Sequence, residues 1–183
     1  MIEKAMKIIT SSEFLFICAG LIIFLNCIKK NNNFFDIRNI ILDQFKMFSD
    51  ARGQIIVFYG APLLLAIAVL KCKCINKEIV DNVVIVLSII ISMLFAMLSI
   101  LNGYQNNDKD YVELLEQTYS AILFQCVVCV ISLIISFAQY FVDNYNSDIL
   151  LKVVSFVLYY LIFVMILNIF VILKRMKALF DYR

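Results

Sequence analysis

Four long runs of isoleucine, valine, leucine and phenylalanine, separated by three short polar breaks, set the pattern of this chain. Residues 54–71, 82–102, 119–142 and 149–173 are each about as long as a helix needs to cross a hydrocarbon layer. They predict four transmembrane helices and an all-α, polytopic helical bundle forming a single membrane domain over 1–183. A fifth apolar run at 12–28 has 17 residues, the lower limit for spanning. Lys4 and Lys7 precede it in the manner of a secretory signal, but no small-x-small cleavage site stands before Lys29 and Lys30. A retained first helix is expected. Between this run and the next, Phe34, Ile37, Ile41, Phe45 and Phe48 recur at three- and four-residue steps, while Asp36, Arg38, Asp43, Lys46 and Asp50 take other faces. Residues 34–50 therefore predict an amphipathic helix lying in the membrane interface, either as a connector or as a lever acting on the next span.

Polar residues within the spans are few and are placed in order. At about 100° per residue, Gln125, Cys129, Ser132, Ser136 and Gln139 share one face of the third span. Ser88, Ser92, Ser99 and Asn102 share one face of the second, and their offsets of 0, 4, 11 and 14 recur in the third-span set. Two uses are open. The Gln125 stripe lines a wetted path, with the serine face as a helix seam, or the two faces zip together as close-packed neighbours. One protomer carries too few polar residues to enclose a lumen, so a pore would lie between protomers about a symmetry axis. In the first span Gly60 and Pro62, the chain's one proline, mark a candidate hinge, because proline removes a backbone donor and crowds the preceding turn.

Composition narrows the chemistry. The chain is 63% hydrophobic and 16% charged, against about 25% charged in ordinary soluble domains, and its mean hydropathy is +0.93. Membrane lipid is the expected surrounding. A net charge of +2 gives no argument for a nucleic-acid surface. Histidine is absent, which removes the commonest general base and metal ligand. Cys126 and Cys129 stand in CVVC spacing and Cys72 and Cys74 in KCKC, yet neither pair has the companions that a redox or metal site needs. Asp108, Asp110, Glu113 and Glu116 make an acidic loop without a partner base. From Asp110 onward it is expected to carry the third helix about two turns beyond the membrane. No enzyme, cofactor or metal is predicted.

Lys174, Arg175 and Lys177 end the last span, whereas 143–148 before it holds no basic residue. The positive-inside rule then gives a multi-pass membrane protein with a cytoplasmic C-terminus. Lys71, Lys73 and Lys77 fall on the outer side, against the rule.

Four stretches together carry a resemblance: FYGAPLLLAIAVL, VLSIIISMLFAMLSIL, LLEQTYSAILFQ and LKRMKALF. The chain resembles the small membrane effectors of bacterial anti-phage defence, of the Hailong type, which are partnered with a nucleotidyltransferase. The resemblance implies a homo-oligomeric, ion-conducting pore that depolarises the cell. It also implies gating by a nucleotide or oligonucleotide made by the partner enzyme. No binding residue is carried over from that family. The alternative expectation is a non-conducting structural or accessory subunit of a membrane transporter or assembly.

Overall fold

The computed structural model describes residues 40–42, 44, 52–103, 108–142 and 148–181. By internal contacts the chain divides into two units, Met1–Ile41 and Leu42–Arg183. Of the first, only Ile40 and Ile41 are described, and both are helical. The expected span at 12–28 lies outside the described residues. So does the amphipathic segment 34–50, apart from 40–42 and Gln44.

The second unit contains four long helices, here α1 Arg52–Cys72, α2 Lys77–Asn102, α3 Lys109–Val142 and α4 Asp148–Asp181. Every regular element among the described residues is helical. Among the described residues three stretches are long and apolar enough to cross a membrane: Lys77–Asn102, Lys109–Gln139 and Leu151–Asp181. The apolar part of α1, Ile56–Cys72, is shorter.

The helix ends follow from local chemistry. Asn76 begins α2 by accepting a hydrogen bond from the Ile79 amide on its side chain at 3.1 Å. The helix thus starts five residues before the expected 82, and Lys77 belongs to its first turn rather than to a connection. Asp108 does the same for α3, its carboxylate accepting from the Asp110 amide at 3.2 Å and its carbonyl from the Val112 amide at 3.0 Å. The extension of α3 below the membrane-length run is therefore real helix. Similarly, α4 continues past 173 through Lys174, Arg175 and Lys177.

Packing runs in the order α1, α4, α3, α2: α4 lies against both α1 and α3, and α2 lies against α3. Phe58 of α1 and Val164 of α4 form one buried contact, flanked by Tyr59, Tyr160, Leu167 and Val171. A second cluster gathers Ala66, Ile75, Val80, Leu158 and Tyr159 where the α1–α2 connection meets the bundle. Pro62 is buried and α1 runs unbroken through it. At Gly60 an added Cβ would meet only Ile56 Cγ2, at 4.0 Å, so no close helix approach demands the glycine.

Candidate functional site: a polar seam between α3 and α4

The seam begins with the five stripe residues of α3. Gln125, Cys129, Ser132 and Ser136 are fully buried and Gln139 is 2% exposed. Their face is turned into the protomer, against α4 and the α1–α2 connection. One of the two uses left open put the stripe on a surface between protomers; within the single chain Gln125 already meets Asn168 and Gln139 Nε2 meets the Ile75 carbonyl.

Asn168 of α4 is the central partner. Its side-chain amide donates to Gln125 Oε1 at 2.8 Å and to the Ala121 carbonyl at 3.4 Å, and its Oδ1 accepts from Gln44 Nε2 at 3.2 Å. Gln125 in turn donates to Cys129 Sγ at 3.9 Å, and that thiol faces Met165 Sδ at 3.2 Å. Position numbers fall along α3 as they rise along α4, so the pair is antiparallel. The same register brings Arg175 Nη1 to Gln117 Oε1 at 2.7 Å at one end, where Gln117 Nε2 also donates to Glu113 at 3.0 Å.

At the other end, Gln139 Nε2 donates to the Ile75 carbonyl at 3.3 Å, while the Ile75 amide donates to Ser155 Oγ at 3.1 Å. Tyr159 donates to the neighbouring Lys73 carbonyl at 3.2 Å. From Gln117 to Gln139 the seam extends about 33 Å by helix rise, close to the thickness of a hydrocarbon core.

Hydroxyls and amides behave differently along this line. Ser132 and Ser136 bond the carbonyls of Val128 and Ser132 at 2.8 Å, and Thr118 bonds that of Leu114 at 2.7 Å. These groups are satisfied by their own helix. The amides are not. Gln44 Oε1 and Gln139 Oε1 are buried without a hydrogen-bond partner, although a buried acceptor left open costs about 1–3 kcal/mol.

The face expected to form a seam with α3 lies elsewhere. Ser88, Ser92, Ser99 and Asn102 are all exposed on the protomer. Instead α2 buries Val80, Leu87, Leu94, Leu98 and Leu101. The two polar faces therefore do not zip together. Ser88 and Ser92 bond the carbonyls of Val84 and Ser88 at 2.8 and 2.9 Å, which removes their need for a partner helix.

Gln44, Asn168, Ser155 and Ile75 complete the site without having been singled out from the sequence. Asn168 and Ser155 were visible there as polar residues inside an apolar span. Nothing marked Gln44, which meets Asn168 across 124 positions. Cys72, Cys74, Cys126 and Cys129 are free thiols, and among the described residues no group of three His, Cys, Asp or Glu side chains is placed to hold a metal.

No protein-family model, no curated protein and no solved structure matches the chain. What the geometry of the described residues defines is a class: an all-helical bundle with three membrane-length apolar helices and a polar seam inside it.

Proposed function

We propose that this chain is a homo-oligomeric membrane effector and that the α3–α4 seam is the closed form of its ion-conducting path. The observation that carries the reading is a membrane-length line of polar side chains with two buried amide oxygens left open. A seam used for packing alone gains nothing from unpaired acceptors in a low-dielectric interior. Water or a permeating ion entering between α3 and α4 supplies what Gln139 Oε1 and Gln44 Oε1 lack. Neighbouring protomers supply the additional wall that one chain cannot provide.

In this reading α1 spans with α2, α3 and α4, the protein is multi-pass in a bacterial inner membrane, and the C-terminus is cytoplasmic. The α1–α2 connection and the residues between α3 and α4 then face outward, and Arg175 faces the cytoplasm. Pro62 and Gly60 are the hinge of α1. Depolarisation in anti-phage immunity, and control by a nucleotide or oligonucleotide from a partner nucleotidyltransferase, rest on the sequence resemblance.

A second reading is favoured by the back-bonded Thr118, Ser132 and Ser136, whose hydroxyl protons are already donated to their own helix and leave no donor for water in a path. It is a non-conducting accessory subunit whose seam fixes helix register.

Flux from proteoliposomes separates the two. The purified chain is expected to release a trapped ion, and Gln125→Leu to abolish release while leaving oligomer size unchanged, because an apolar constriction dewets a narrow path. Equal flux from wild type and Gln125→Leu, or none from wild type with and without the partner enzyme's product, overturns the conducting reading.

A further inference from the structure

The α1–α2 connection contains one residue whose placement its length does not explain. Connections of this kind lie at the surface, where water satisfies their backbone. Lys73 does so and is exposed, as are Lys71 and Cys72 at the end of α1. Ile75, two residues beyond Lys73, is 1% exposed. Its side chain enters the cluster of Ala66, Val80, Leu158 and Tyr159, and both of its backbone polar groups are taken by side chains from distant helices. The amide goes to Ser155 of α4 and the carbonyl to Gln139 of α3. Tyr159 fastens the preceding Lys73 carbonyl, and Asn76 immediately afterwards is committed to capping α2.

Gln139 is the last polar residue of the stripe at this end. An isoleucine held against it by groups from both walls of the seam thus stands where the seam would open.

We infer that Ile75 is a plug: the α1–α2 connection closes the outer end of the α3–α4 seam through the Ser155–Ile75–Gln139 clamp, and opening requires its withdrawal. This rests on the reading of the seam as a conducting path and gives that path its gate. The attachment is suited to reversal. It consists of one apolar side chain and three hydrogen bonds, of 3.1, 3.2 and 3.3 Å, and Gln139 Oε1 beside it is already unpaired. When the connection lifts, the Ile75 amide and carbonyl pass to water, Ser155 and Gln139 become the polar rim of the opening, and Ser136 one turn deeper meets solvent. Exposed Lys73 on the connection, with exposed Lys71 and Lys77 at the helix ends beside it, keeps the withdrawn segment hydrated.

The native Cys129 is a reporter within the seam, about 15 Å below Gln139 along α3. The test uses the full chain in proteoliposomes with Cys72 and Cys74 replaced by serine and Cys18, Cys27 and Cys126 by alanine. A membrane-impermeant thiol reagent is added to either side. Wild-type Cys129 is expected to stay protected. Ile75→Ala is expected to label about tenfold faster from the connection's side, the factor given by weakening closure by about 1.4 kcal/mol. Ser155→Ala, which leaves the Ile75 side chain in place, should also label faster, and Ile75→Leu should match wild type. If Ile75→Ala does not yield a monodisperse protein, Ser155→Ala decides alone.

Unchanged protection in both Ile75→Ala and Ser155→Ala overturns the plug, as does wild-type labelling as fast as in denaturing detergent. Ion flux read on the same vesicles keeps the two ideas apart. Faster labelling without flux in any variant keeps the plug and removes conduction. Wild-type flux with protection unaffected by either substitution removes the plug and keeps conduction.

Discussion

α2 and α3 carry polar side chains at the same offsets, and the bundle treats them in opposite ways. Gln125, Ser132, Ser136 and Gln139 of α3 are buried, Gln125 against Asn168 of α4 and Gln139 against the α1–α2 connection, whereas Ser88, Ser92 and Ser99 of α2 are exposed and leucines are buried in their place. The difference lies in the functional groups, not in their spacing. A serine hydroxyl reaches a carbonyl one turn back on its own helix and is then free to face lipid. A glutamine or asparagine amide has two donors and two acceptor lone pairs, more than its own helix can meet, so it must find another element. Lipid does not repel leucine, so hydrophobicity leaves the choice of interior face open and the amides make it. In this bundle, amides orient helices and serines follow.

The comparison can be broken at three places, taken in order of expected effect. Asn168→Leu strips partners from Gln125, Gln44 and the Ala121 carbonyl together. It should destabilise the chain by about 2 kcal/mol, within the range for orphaned buried groups, when unfolding is titrated in mixed micelles. A change below the average for a single membrane hydrogen bond, roughly 0.6 kcal/mol, would remove the amides from the orienting role. Leu94→Ala on α2 should lose about 1 kcal/mol in the same titration. In lipid the transfer part of the usual leucine-truncation loss is absent and only lost packing remains. Ser92→Ala should fall within about 0.5 kcal/mol of wild type, as surface substitutions do. If Ser92→Ala instead matched Asn168→Leu, the outward serines would be engaged with another helix and the contrast would disappear.

The helical class and three membrane-length apolar helices were legible in the sequence, because an apolar run of about twenty residues is what a bilayer crossing needs. The full lengths were not, since α2 and α4 run beyond their apolar runs and the apolar part of α1 is shorter. The downward extension of α3 was legible as well, since helix formers follow Asp110 without interruption. The stripe was legible as a stripe from its angular spacing. Its direction was not, because periodicity says which residues share a face and nothing about what that face meets. The α2 start was missed by five residues for a local reason: the Asn76 cap outweighed the charge of Lys77 and Glu78. Gln44 was hidden differently. It stands among charged and aromatic residues whose pattern describes a surface helix, and only Asn168 gives it a buried use.

The clamp on Ile75 also bears on how the bundle is assembled. Ser155 follows Ile75 by 80 positions and Gln139 by 64, so when α1 and α2 emerge from the ribosome nothing yet exists to hold their connection. Gln139 becomes available with α3, but the Ile75 amide has no side-chain partner until Ser155 follows in α4. The first hairpin is thus fastened by the second, and insertion and closure are separate events in the life of the chain.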